Sequence, residues 1–287
     1  MLGSSLCWLY RNIHEVYAFH RDKVSLSSCA VDNSLDLMDS NQLDEQFSQI
    51  KPDLVIHCAG LTSVDACEKE SALAHVMNVT ITKNIARVCS NTTKLIYISS
   101  DQVYGEAESY SETNAKLQPL NQYGKTKLLG EKKVQEHCKN HIIVRTNIFG
   151  WNVKPGRISS AEWIYHSLKK GEEITLFSDY TFSPIYTEFL GEIVMQLVEM
   201  DFKGIINVGS SRSCSKYHFG IQLAEEFGLN SLLIQKGSLD DHSFFAPRFR
   251  KLDLNVSKLS GLSIAPPGYR LSIKQFARHR KVKANHY

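Results

Sequence analysis

No two cysteines of this chain form a C-x-x-C pair. The seven, at 7, 29, 58, 67, 89, 138 and 214, have no repeating spacing. That argues against both a disulfide framework and a zinc knuckle, since the eleven histidines are scattered without ligand spacing against those thiols. Cysteines inside apolar stretches, such as Cys58 and Cys89, read as small hydrophobes in a reducing compartment. No apolar run approaches the ~20 residues a membrane helix needs, and the first residues lack a charged-then-apolar leader pattern. Membrane partners are therefore not expected, and a cytoplasmic location follows by elimination. A formal charge of +3 is too small to imply nucleic-acid binding. The basic residues Arg278, Arg280, Lys281 and Lys283 read as a solvated tail. Internal repeats and low-complexity tracts are also lacking.

Present instead is an alternation of short apolar strands and amphipathic helices, the pattern of a parallel sheet covered on both faces. Strands are expected at 15–20, 54–60, 95–99 and 142–145, with helices over 42–49, 72–89 and 123–138. The Leu54–Gly60 run reads as a buried strand. Beyond Trp151 the alternation weakens, and Lys154-Pro155-Gly156 and Ser183-Pro184 punctuate the chain. Helical stretches at 161–170, 187–200 and 217–227, with a strand-like 204–209, suggest a smaller lobe at the carboxyl edge of the sheet, where ligands of open α/β folds sit. The expected organisation is a Rossmann-like domain over 1–150 and a substrate lobe over 151–287, partly interleaved with the first.

The chemistry concentrates in two segments, Tyr97-Ile98-Ser99-Ser100-Asp101-Gln102-Val103-Tyr104-Gly105 and Tyr123-Gly124-Lys125-Thr126-Lys127. Tyrosine and lysine four residues apart share a helix face. An ammonium there is expected to pull the phenol down from its ordinary pKa of about 10 toward the range useful for proton transfer. A serine ending the preceding strand would hold a carbonyl oxygen over the same phenol. A Y-x-x-x-K pair alone also describes a solvated surface pair; the serine-bearing strand before it makes the combination specific.

On these motifs the chain resembles the extended short-chain dehydrogenases/reductases, and within them the dTDP-4-dehydrorhamnose reductase family. The resemblance runs from Met1 to about Phe276. It implies a doubly wound parallel sheet, NADPH (or NADH) as cofactor, a nucleotide-sugar substrate and Ser100, Tyr123 and Lys127 as catalytic residues, Tyr123 and Lys127 also touching the cofactor. A homodimer is compatible with it. By position it assigns Gly3, Arg21, Asp36, Ala59, Gly60 and Asn78 to the cofactor. A cation at Arg21 favours a 2′-phosphate. Asp36 either approaches the adenine or, like Asp39, caps a helix. Asn78 is supporting rather than catalytic. For the substrate it assigns Ser100, Asp101, Asn147 and Arg248, the last from Pro247-Arg248-…-Leu252-Asp253, where the family's Arg-Pro order is reversed. Asp179 to Thr187 resembles a segment closing over the ligand, and Glu112 matches a family glutamate whose default reading is a solvated loop acid.

The front departs from the pattern. Met1-Leu2-Gly3-Ser4-Ser5-Leu6 resembles only the last glycine and helix start of a G-x-x-G-x-x-G turn, without the strand before it. The chain reads either as an N-terminally truncated product or as a variant that lost cofactor binding. Because the missing strand is central in the family's sheet, its neighbours are expected to be left with unpaired backbone groups. Two alternatives to a keto-sugar reductase stay open: a non-catalytic binding protein like the methionine adenosyltransferase beta subunit, and another sugar-nucleotide epimerase or dehydratase.

Overall fold

The computed structural model describes residues 1–20, 31–89, 92–105, 110–113, 115–154 and 156–284. Strands β1 (Tyr17–His20) and β2 (Val31–Ser34) make a parallel pair. Strands β3 (Leu54–His57), β4 (Lys94–Ile98) and β5 (His141–Thr146) join the Gly204–Val208 strand in a four-stranded parallel sheet, ordered Gly204–Val208, β5, β4, β3. Leu95, Ile96 and Tyr97 of β4 and Ile142, Ile143 and Val144 of β5 are fully buried. Helices cover both faces there, so these strands read as continuous apolar runs instead of alternating ones.

Among the described residues no strand joins the β1–β2 pair to the four-stranded sheet, so the parallel strands fall into two separate sheets. The division corrects one expectation. Leu54, Val55 and Ile56 are only half-buried, because β3 is an edge strand paired on one side alone.

Helix α1 (Leu2–Tyr10) sends Leu2, Leu6 and Tyr10 into the main core, and the Tyr10 hydroxyl donates to Gly191 O at 2.9 Å. Helix α2 (Ser40–Ile50) is capped by Asp39, whose carboxylate accepts from the Asn41 and Gln42 amides. After α3 (Val64–Lys69), the helix expected over 72–89 appears as α4 (Ser71–His75) and α5 (Ile81–Val88), joined by a π-turn over Val76–Thr80 that carries Asn78. Such turns are frequent at functional sites. Helix α6 (Gln122–His137) packs on the π-turn, α5 and β5.

The second half adds helices Ser160–Lys169, Thr187–Glu199, Lys216–Phe227 and Tyr269–Ala284, with short strands among them. Thr181–Phe182 pairs with both Cys214–Ser215 and Lys251–Leu252, which brings three distant segments to one place. The two halves interleave: Gly204–Val208 returns to pair with β5, and Thr187–Glu199 packs on α1. Trp151 stacks on Phe276 at 4.2 Å and donates to its carbonyl, fastening the last helix to this core. Among the described residues no helix is long and apolar enough to cross a membrane.

Helix α6 reaches the sheet through glycine. A Cβ on Gly130 would lie 2.2 Å from the Tyr97 hydroxyl and 2.8 Å from Asn78 O. Gly130→Ala is therefore expected to destabilise the fold by about 1–3 kcal/mol, the usual cost of overpacking, read as a lower midpoint in urea unfolding. An unchanged midpoint would contradict this contact.

Candidate functional site

Ser100 ends β4 and caps the short turn Asp101–Val103, its Oγ accepting from Gln102 N at 3.2 Å and donating to Asp101 Oδ1 at 3.0 Å. Asn121 starts α6 by accepting from Gly124 N at 2.9 Å, and its amide nitrogen donates to Gln102 Oε1 and Pro247 O. Gly124 sits against the Ser100 turn so closely that a Cβ would lie 2.1 Å from Gln102 O. These contacts bring Tyr123, the first-turn residue of α6, to Ser100.

Burial raises the Tyr123 phenol well above its ordinary 10.0, the Ser100 hydroxyl pulls it back, and Asp101 and Cys67 push it up. This differs from the expectation that Lys127 lowers it. The Lys127 ammonium lies 4.0 Å over the Tyr97 ring, one turn along α6 and directed to the sheet. Spacing put both residues on one face but did not fix where the lysine head points.

Lys127 is 5% exposed, and its ammonium makes no hydrogen bond with a described residue. Burial pulls it down to about 7, against the pull of Glu131. Glu131, a further turn along the same face, is already committed: it accepts from Ser99 Oγ at 2.6 Å and from Arg145 Nε and Nη2 at 2.9 and 2.6 Å. This buried fork ties α6 to β4 and, through Arg145, to β5, where a strand over 142–145 was expected.

On the cofactor side, Ala59 is exposed at the end of β3 and Gly3 lies in α1 beside Cys58. A Cβ on Gly60 would lie 2.8 Å from Asn78 Oδ1, so only glycine fits. Asn78 accepts from Leu61 N and donates to Leu61 O and Thr126 Oγ1, so its amide is spent on holding the loop to α6. Asp36 is exposed, accepts from Met38 N and closes a local turn ahead of α2. Arg21 lies outside the described residues. An open small-residue ledge beside an unpartnered buried ammonium suits an anionic dinucleotide: Gly3, Ala59, Gly60, Tyr123 and Lys127 are the residues that would hold it.

On the substrate side, Asn147 donates to Asp101 Oδ2 at 2.5 Å. Asp101 is buried, and burial raises it to about 6 against the hydrogen bonds of Asn147 and Ser100 and the charge of Lys216. Arg248 donates to Asp65 Oδ2 at 2.8 Å, and Ala246 N donates to Asp65 Oδ1 at 3.0 Å. This joins the first turn of α3 to the 246–248 segment of the second half. Beside Arg248 a cavity of about 250 Å³ is lined by Leu239, Asp240, Phe244, Pro247, Arg248 and Arg250. Glu112 accepts from Asn207 N at 2.7 Å and is not a free loop acid. Sequence reasoning missed Asn121, Asp65, Glu131 and Lys216. Glu131 was signalled by its i+4 step from Lys127, and Asn121 by its helix-cap position.

The depressed Lys127 yields a signed prediction. Its folded value, about 7 against an ordinary 10.5, means the unfolded chain binds more protons between those pH values, so its contribution to stability grows as pH rises through that window. Lys127→Met is expected to be more stable than the parent below pH 7, by up to a few kcal/mol at about 1.4 kcal/mol per pKa unit, with the gain vanishing above about pH 10.5. Denaturant melts at several pH values check this; a gain independent of pH would contradict it.

The family model for the RmlD substrate binding domain matches residues 1–282. A probable low-salt glycan biosynthesis reductase of Haloferax volcanii is 27% identical over 86% of this chain and 84% of its own. The methionine adenosyltransferase 2 subunit beta of Xenopus laevis is 27% identical over 80% and 71%. The crystal structure of dTDP-4-dehydrorhamnose reductase from Bacillus anthracis in complex with NADP superposes with a TM-score of 0.78 at 26% identity, covering 88% of this chain and 92% of that one. The fold is Rossmann-like, and the chain belongs to the RmlD substrate binding domain family.

Proposed function

We propose that the protein is an NADPH-dependent oxidoreductase that reduces a nucleotide-linked 4-keto-6-deoxy sugar, in the manner of dTDP-4-dehydrorhamnose reductase. The observation that carries this reading is the meeting of Ser100 and Tyr123 beside Asp101, with the unpartnered Lys127 ammonium one turn along α6.

The dinucleotide supplies the hydride. Ser100 Oγ donates to the ketone oxygen and fixes its direction. Tyr123, kept protonated at neutral pH by burial, transfers its phenolic proton to that oxygen as charge develops on it. Lys127 offers a positive charge to the cofactor, a charge fully present only below its depressed pKa of about 7 unless an anionic ligand raises it. The second lobe, through Arg248 and the neighbouring cavity, would take the nucleoside diphosphate; an arginine's planar fork suits phosphate oxygens.

A second reading, a binding subunit without turnover like the methionine adenosyltransferase relative, is favoured by the divided sheet next to the cofactor ledge. Activity separates the two. NADPH oxidation is expected only with the dTDP-linked keto sugar present, and Tyr123→Phe should lose about 10²–10⁴-fold in rate. Full activity in Tyr123→Phe would refute the role of the phenol, and NADPH binding without turnover would select the second reading.

A further inference from the structure

The Lys216–Phe227 helix opens with a cation, although a helix N-terminus favours an anion. Ser215 caps the helix by accepting from His218 N, so Lys216 is not needed for that purpose. Its ammonium lies 3.6 Å over the centre of the Phe182 ring and 5.4 Å over that of Tyr180, and makes no hydrogen bond or ion pair with a described residue. Burial pulls Lys216 down to about 8, and Asp101 opposes this across a gap without contact. Dipole, desolvation and three unmet donors all act against this placement, and the ring contacts return only part. Local costs of this kind mark functional positions.

Asp101 locates the place. Its charge acts on Lys216, on Tyr180 and on Tyr123, and its Oδ1 accepts from Ser100. Asn147, which donates to Asp101 Oδ2, accepts at its carbonyl from Ile185 N, three residues past Phe182, so the Lys216 ammonium on the Phe182 ring approaches the Ser100–Asp101 turn from the second half of the chain. An ammonium only donates and a carboxylate only accepts, each oxygen offering more than one lone pair. A phosphate or carboxylate placed between them would satisfy Lys216 but meet repulsion from Asp101. A hydroxyl satisfies both, accepting from one and donating to the other.

We propose that Lys216 is a specificity-determining residue whose ammonium, together with the Asp101 carboxylate, grips a ring hydroxyl of the sugar next to the carbonyl held by Ser100 and Tyr123. This rests on the sugar-nucleotide reading above. The pair reads the sugar and leaves the nucleoside diphosphate to other groups.

Titration calorimetry of the NADPH-saturated protein with dTDP-L-rhamnose and with dTDP alone tests this. In the parent, the sugar nucleotide should bind more tightly than dTDP. Lys216→Met, which keeps the stem, should weaken dTDP-L-rhamnose about 10–100-fold, as expected for hydrogen bonds to a charged group, and leave dTDP unchanged. Lys216→Arg should recover part of the loss. Lys216→Gln, which keeps a donor without the charge, should show the same selectivity with a smaller loss, and it stands in if the methionine variant does not fold. Equal loss for both ligands would assign Lys216 to the diphosphate and overturn the proposal, as would no loss for either. A parent protein that binds neither ligand overturns the sugar-nucleotide reading first and this inference with it.

Discussion

Backbone contact between α6 and the turn after β4 sets the geometry on which everything else depends. Hydrogen in place of a side chain at Gly124 lets the helix start settle on the Gln102 carbonyl, and Gly130 repeats the approach against Tyr97 and the π-turn. The spacing of Ser100 and Tyr123 is thus fixed by main-chain atoms in van der Waals contact, which interiors packed at crystal-like density do not let drift. The Glu131–Arg145–Ser99 fork adds an electrostatic fastening lower on the same helix, fully enclosed and bidentate.

Two kinds of buried charge coexist in this fold. Arg145 and Glu131 neutralise one another at contact distance, and their role is to hold elements together. Asp101, Lys127 and Lys216 are enclosed without such a partner, and burial draws all three toward neutrality, to about 6, 7 and 8 respectively. Groups poised there change protonation with small changes in surroundings, as catalytic and binding groups require. The contrast separates framework from site more clearly than residue type does.

Much of this was legible in the chain itself. The apolar run ending in Ser99-Ser100 and the Tyr123/Lys127 step are local patterns, and helix periodicity carried them intact into β4 and α6. What periodicity does not encode is where a long side chain ends: Lys127 shares a face with Tyr123 yet settles over Tyr97. Contacts of high sequence separation were equally hidden. Asp65 meets Arg248 across 183 residues, and Lys216 follows the Cys214–Ser215 strand, whose pairing with Thr181–Phe182 no local signal announces. The half-exposure of β3 follows from which strands lie beside it, a property of the whole sheet that its own apolar sequence does not carry.

The amide of Asn121 holds both the Gln102 side chain and the Pro247 carbonyl while its oxygen secures Gly124. One residue is thus a common rivet for the serine turn, the phenol-bearing helix and the arginine-bearing segment of the second lobe. Displacement of that segment is therefore felt at the Ser100 turn and at the first turn of α6 together, because the same amide holds all three.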